Sequence, residues 1–167
     1  YNAYVVAGTL ILYGIFFIAL ENSSICDHPY VDRVGQISAR TAAYIGMIQI
    51  LAMVPGTSRS GVTILGAMML GCSRGAAAEV SFFLGIPLMF GASSLKLVKY
   101  FINGNSFTGV QVFYTILGML VAFVVSIYSI QFLMSYVRKH DFKFFGYYRI
   151  VLGVIVLAYF GITALAG

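Results

Sequence analysis

The chain has 167 residues, of which 60% are hydrophobic and only 9% charged, with a net charge of +5 at pH 7. A soluble domain of this size needs a charged shell that these residues cannot supply, so the bilayer is the solvent. The ten Lys and Arg residues are scattered between apolar runs without forming a basic face, which excludes a nucleic-acid partner and fits anionic lipid and the positive-inside bias.

The expected fold class is all-α, a polytopic membrane helical bundle forming a single integral membrane domain over residues 1–167. The sequence opens at Tyr1 inside an apolar run, with no Met, no basic n-region and no cleavage pattern, so an absent N-terminal part is expected. Residues 1–20 make an apolar stretch of about the length a helix needs to cross hydrocarbon, roughly 20 residues. A polar loop follows over 21–36, carrying Asp27, His28, Pro29, Asp32 and Arg33. From Ile37 the chain is apolar again as far as Val54, where Pro55 disfavours helix at the residue before it. Beyond the 55–61 loop, residues 62–70 supply only nine further apolar positions, about half a crossing. A re-entrant helix-loop-helix over residues 37–71 fits these lengths better than two full crossings. Irregular backbone at membrane depth survives only where protein or a wet cavity satisfies it, and broken helices of this kind build substrate sites.

Membrane helices are expected over 80–101, with Pro87 inside, over 110–134 and over 147–166. An Asn103-Gly104-Asn105-Ser106 turn and a basic loop with Arg138, Lys139 and Lys143 separate them. Cys26 and Cys72 show neither metal-ligand spacing nor a disulfide framework. With the Arg138 loop placed in the cytoplasm, Arg33, Arg40, Arg74, Arg138, Lys139, Lys143 and Arg149 fall inside, and Lys96 and Lys99 outside. The 55–61 loop then enters from the cytoplasm and presents itself to the extracytoplasmic half.

That loop, Pro55-Gly56-Thr57-Ser58-Arg59-Ser60-Gly61, carries the chemistry. Gly56 and Gly61 let the backbone approach a ligand closely, and consecutive N–H groups there can form an anion-binding nest. Ser58 or Ser60 can cap the following helix, whose N-terminus adds partial positive charge. Thr57, Ser58 and Ser60 bring hydroxyls, and Arg59 a permanent charge on a planar fork suited to phosphate. Such loops often only connect elements, and arginines near membrane ends often snorkel. An arginine between two apolar blocks is expensive, however, and marks a pathway or a site. The Gly56-x-x-x-x-Gly61-Val62-Thr63 spacing imitates an ATPase phosphate loop, but Val62 stands where the lysine should be, and the preceding segment reads as helix.

The run from Ile45 through Met53-Val54-Pro55-Gly56-Thr57-Ser58-Arg59-Ser60-Gly61-Val62 to Ile64 resembles the second signature of the bacterial undecaprenyl-diphosphatase (BacA-type, bacitracin-resistance) family. The Glu79-Val80-Ser81-Phe82-Phe83-Leu84-Gly85-Ile86-Pro87 run resembles the segment that follows it there, and spacing agrees over most of the chain, as the C-terminal part of such a protein. The resemblance implies a multi-pass enzyme of the bacterial inner membrane. Its activity is removal of one phosphate from undecaprenyl diphosphate, which recycles the carrier lipid of cell-wall synthesis. It also implies inverted repeats, each with a re-entrant hairpin, and an active site on the periplasmic side. Ser58 and Arg59 match the family's active-site pair, and Gly56, Thr57, Ser60 and Gly61 match its phosphate-binding loop.

Around that loop, Gln49 is expected either to contact substrate or to make an interhelical hydrogen bond. Glu79 and Ser81 are expected to support the site, Glu79 as an arginine's partner or in catalysis. The family's first signature, with acidic residues, a Ser/Thr pair and a histidine, has no match here, and His28 and His140 read as ordinary loop histidines. The divalent cation implied by the resemblance, Mg²⁺ or Ca²⁺, would therefore take its ligands from the absent N-terminal part, with none in this chain, and the fragment alone would be inactive. The expected partners are undecaprenyl diphosphate and membrane lipids, with a homodimer left open. A transporter or flippase of a polyprenyl phosphate lipid is the rival reading, because re-entrant hairpins in inverted repeats also build transporters.

Overall fold

The computed structural model describes residues 3–23 and 28–166, so Tyr1, Asn2, Cys26 and Asp27 of the expected elements lie outside the described residues. Six α-helices follow one another: α1 (Ala3–Glu21), α2 (Ala39–Ile48), α3 (Arg59–Met69), α4 (Arg74–Ile102), α5 (Gly109–Val137) and α6 (Lys143–Ala166). Short 3₁₀ turns at Val34–Gln36 and Gln49–Met53 flank α2. Among the described residues the only extended pairing is a single bridge between Val31 and Cys72, so the protein is all-helical. Among the described residues four helices are long and apolar enough to cross a membrane, namely Ala3–Glu21, Arg74–Ile102, Gly109–Val137 and Lys143–Thr163. The chain forms two compact units, residues 1–82 with 137–167, and residues 83–136.

In the first unit α1 and α6 run antiparallel with their backbones nearly touching. A β-carbon on Gly14 would lie 2.8 Å from the Gly146 carbonyl oxygen, and one on Gly153 would lie 3.0 Å from that of Ala7. Ala7 and Gly14 are two helical turns apart on α1, as are Gly146 and Gly153 on α6, so small residues recur on the facing stripes. In lipid, where water exclusion does not drive helices together, such close approach lets dispersion and packing hold them. An ionic knot closes one end of this pair. The Glu21 carboxylate, buried at the end of α1, accepts two hydrogen bonds from Arg74 Nε at 3.0 and 3.1 Å and one from the Phe142 N–H at 3.0 Å. Arg74 also reaches Asp141 at 3.1 Å.

A helical hairpin made of α2, the 3₁₀ turn and α3 packs beside α1. Ser38 caps α2 by accepting the Thr41 N–H at 3.1 Å. The helix tightens to 3₁₀ after Ile48 and stops at Val54, which is forced to extended torsions (φ −70°, ψ 126°) by the following Pro55. α3 ends on Gly71 at φ +86°, a left-handed residue that a glycine adopts without steric cost. The Gly71 N–H donates to Met68 O and the Cys72 N–H to Ala67 O, both at 3.0 Å, the paired bonds of a Schellman ending. The far end of α3 is tied to the loop that precedes the hairpin, because the Tyr30 and Val31 N–H groups donate to Gly71 O and the Ser73 N–H to Val31 O.

α4 begins at Arg74, ahead of the expected position 80, because Ser73 caps it through the Ala76 N–H at 3.3 Å and Ala76, Ala77 and Ala78 are buried helix formers. In the second unit the α4–α5 turn is closed by Tyr100 stacked on Phe107, with ring centroids 4.7 Å apart. Thr108 and Gln111 then exchange hydrogen bonds as a capping box for α5. The large apolar side chains of α5, from Val110 to Phe132, are exposed.

Candidate functional site

The 55–61 loop sits at the tip of the hairpin, pressed against the middle of α1. Thr9 Oγ1, which also lies 3.0 and 2.9 Å from the Val5 and Val6 carbonyls of its own helix, donates to the Pro55 carbonyl at 2.9 Å. Gly56 has φ +88°, and a β-carbon there would meet Thr9 Oγ1 and the Val6 backbone. The loop is therefore held by the one residue type that fits both the torsion and the space.

Ser58, not Ser60, caps α3. Its Oγ accepts the Gly61 N–H at 3.2 Å and lies 3.2 Å from Ser60 Oγ. The Val62 N–H is taken by the Ser58 carbonyl at 3.0 Å. Thr63 Oγ1 donates back to Arg59 O and Ser60 O at 3.1 and 3.0 Å, and Ser81 Oγ on α4 lies 2.6 Å from the same hydroxyl. Ser81 thus braces the first turn of α3 through Thr63.

Three polar atoms around this turn are buried without a protein hydrogen-bond partner among the described residues: Thr57 Oγ1, one terminal nitrogen of Arg59 and one terminal nitrogen of Arg149. A buried polar group left without any partner costs about 1–3 kcal/mol, and more when it is charged, so these three atoms are donors with hydrogen bonds still to give. Arg149 comes from α6. Its guanidinium lies against Gly61, so that a β-carbon there would be 2.8 Å from one nitrogen and 3.1 Å from the other. It also lies over the Phe17 ring, 5.4 Å from the centroid. Neither Arg59 nor Arg149 has a carboxylate within 4.0 Å among the described residues, since both ion pairs there belong to Arg74. Guanidinia, hydroxyls and a helix N-terminus are the donor types that an oxyanion with several oxygens, such as a phosphate, accepts from.

A family profile described as "Bacitracin resistance protein BacA" matches residues 1–155. The chain belongs to the BacA family. BacA relatives include the undecaprenyl-diphosphatase of Lachnoclostridium phytofermentans, 56% identical over 160 residues, covering 96% of this chain and 58% of the relative. The protein of that name from Desulfitobacterium hafniense is 52% identical over 168 residues, covering 100% of this chain and 59% of its own. That of Streptococcus thermophilus is 51% identical over 166 residues, covering 99% and 58%. This BacA chain therefore spans about three-fifths of the length of these relatives.

The other residues expected at the BacA site are placed differently. Gln49 ends α2, half-buried, and makes no side-chain hydrogen bond to the loop. Glu79 lines a separate polar cavity of about 370 Å³ with Asp32, Arg33, Ser73, Arg74 and Arg138, away from the 55–61 loop. An apolar cleft of about 480 Å³ opens between α1 and the hairpin, walled by Tyr13, Phe16, Leu51, Val62, Leu65 and Met69, the last three on α3. Among the described residues no three His, Cys, Asp or Glu side chains come together to hold a metal ion, and the loop's own donors suit an anion, not a cation. Arg149 and Thr9 escaped sequence reasoning. Each had a signal, a charge or hydroxyl set inside an otherwise apolar span, but Arg149 had been assigned only to the inner-side positive charge.

Proposed function

We propose that the whole protein hydrolyses undecaprenyl diphosphate to undecaprenyl phosphate and inorganic phosphate in the bacterial inner membrane. The observation that carries this reading is the set of buried donors on Thr57, Arg59 and Arg149 around the N-terminus of α3, all without a protein acceptor among the described residues. The similar proteins of Lachnoclostridium phytofermentans and Desulfitobacterium hafniense are undecaprenyl-diphosphatases, which supports the same substrate. Arg59 and Arg149 share the charge of the diphosphate oxygens. The Ser58 and Thr57 hydroxyls and the backbone N–H groups of Gly56 and Ser60 hold those oxygens in line, while Gly61, whose own N–H is taken by Ser58 Oγ, leaves room for the Arg149 guanidinium. Water attacks the terminal phosphorus, the bond to the bridging oxygen breaks, and the carrier-lipid phosphate leaves. Positioning and charge neutralisation contribute most in such transfers. The apolar cleft lined by Val62, Leu65 and Met69 of α3 takes the first isoprene units of the chain.

The general base, and the carboxylates for a divalent cation (Mg²⁺ or Ca²⁺), belong to parts of the enzyme outside this chain. The hairpin over 37–71 is read as re-entrant because Gly71 at its far end is bonded back to Tyr30 and Val31 in the loop that leads into it, and because α3, with 11 residues, is roughly 16 Å long, half a bilayer core. With the Arg74 and Arg138–Lys143 end in the cytoplasm, the loop faces the periplasmic half.

The test uses full-length protein in detergent with a prenyl diphosphate, following released phosphate, and the same protein in liposomes, following transbilayer movement of labelled lipid. Phosphate release is the expected result. Movement of lipid without any release would replace the hydrolase reading with a flippase.

A further inference from the structure

We propose that Phe17 is a positioning residue of the phosphate site: its ring holds the Arg149 guanidinium over the first turn of α3. The proposal rests on the phosphate-binding reading of the loop and adds the group that aims its second arginine.

Phe17 is 3% exposed on α1, and the Arg149 guanidinium carbon stands 5.4 Å from its ring centroid, inside the range of a cation–π contact. The ring cannot drift. It packs against Phe142 with centroids 5.8 Å apart, and the Phe142 N–H is fixed to the buried Glu21 carboxylate at 3.0 Å. One turn before Phe17, Gly14 lets α6 close on α1, with Ile150 so near that a β-carbon on Gly14 would be 2.6 Å from its Cγ1. Arg149 is the neighbour of Ile150, so the same close approach delivers its side chain to the Phe17 face. A continuous run of contacts therefore links Glu21, Phe142, Phe17, Arg149 and Gly61.

The choice of an aromatic holder has an electrostatic reason. A carboxylate would orient a guanidinium firmly, but its charge would compete with the incoming phosphate and occupy the N–H donors. A ring face orients the same group through its quadrupole and leaves both charge and donors available. The carboxylates Glu21 and Asp141, which flank this end of α1 and α6, are both bound to Arg74. The molecule thus separates the two tasks, an arginine neutralised by acids for structure and an arginine held by a ring for the ligand.

The experiment uses the full-length protein in detergent. Two quantities are measured: kcat/KM for phosphate release from a prenyl diphosphate, and affinity for a non-hydrolysable prenyl methylenediphosphonate. Phe17→Leu is expected to lower both by about tenfold, whereas Phe17→Tyr stays within about threefold of wild type. In an Arg149→Ala background, Phe17→Leu is expected to cost nothing further, as a residue acting through Arg149 must. Fluorinated phenylalanines at position 17 keep the packing and drain the ring quadrupole, so affinity should fall stepwise with each fluorine. This series decides the matter even if Phe17→Leu does not fold. A Phe17→Leu loss that persists without Arg149, or affinity indifferent to fluorination, would show that the ring only fills space. Wild-type protein that neither binds the analogue nor releases phosphate would instead overturn the phosphate reading and the proposal with it.

Discussion

Arg149 lies against Gly61 with no room between them for a β-carbon, which would stand 2.8 Å from one guanidinium nitrogen. This contact joins the last helix to the first turn of α3 and sets two opposing effects against each other. Gly61→Ala adds helix propensity worth about 1 kcal/mol but pushes the end of a flexible arginine away from the site. Thermal stability in detergent is therefore expected to hold or rise while kcat/KM for phosphate release falls by about tenfold or more. Unchanged activity with Ala at this position would separate Arg149 from the ligand.

Arg59→Lys keeps the charge and loses the fork. With one terminal nitrogen buried and unpartnered, Arg59 has a hydrogen bond to give that a single ammonium cannot place in the same direction. The expected loss is about 1.5–3 kcal/mol of transition-state binding, roughly ten- to 150-fold in kcat/KM, with little change in melting temperature. Wild-type turnover by this variant would refute the clamp.

The ionic knot predicts an asymmetry in stability. The Glu21 side chain is 0% exposed and Asp141 is 51% exposed, although both pair with Arg74. Arg74→Ala strands a buried carboxylate with one remaining N–H donor and should cost about 3–5 kcal/mol, whereas Asp141→Ala removes a solvent-screened pair and should cost less than about 1 kcal/mol. Melting curves of the two variants check this directly, and equal losses would contradict the burial of Glu21.

Gly56→Ala meets two obstacles at once. A side chain at φ +88° costs about 1–2 kcal/mol, and its β-carbon would stand 2.7 Å from Val6 Cα with no flexible group to yield. The loop should come off α1, with activity lost and the Thr9–Pro55 bond broken. Thr9→Val removes that hydrogen bond together with the hydroxyl's contacts to Val5 O and Val6 O, and should lower stability by about 0.5–1.5 kcal/mol while leaving measurable turnover. Comparable activity in the two variants would mean that the loop's seat on α1 does not matter.

Much of the architecture was legible because its signals are local. The break at Pro55 shows in the chain as a proline after an apolar run, and in the structure as Val54 driven to extended torsions. The start of α4 was less legible, because Ser73-Arg74-Gly75 reads as polar loop, and only its cap on Ala76 and the burial of Ala76 to Ala78 turn it into helix. Glu79 and Ser81 looked like a pair of supporting residues. Two positions apart on a helix they point about 200° away from each other, which sends Ser81 to Thr63 and Glu79 to a different cavity.

From the sequence alone came the bilayer as solvent, the helical class and the hydroxyl- and arginine-bearing turn, because composition, apolar length and the torsional demands of Gly and Pro act over a few residues. Only the tertiary structure decided that Arg149 meets Gly61, that Thr9 anchors Pro55 and that Ser58 is the cap that closes the turn. Those contacts depend on how closely α1 and α6 can pack, which is set by glycines facing each other across two helices far apart in the chain.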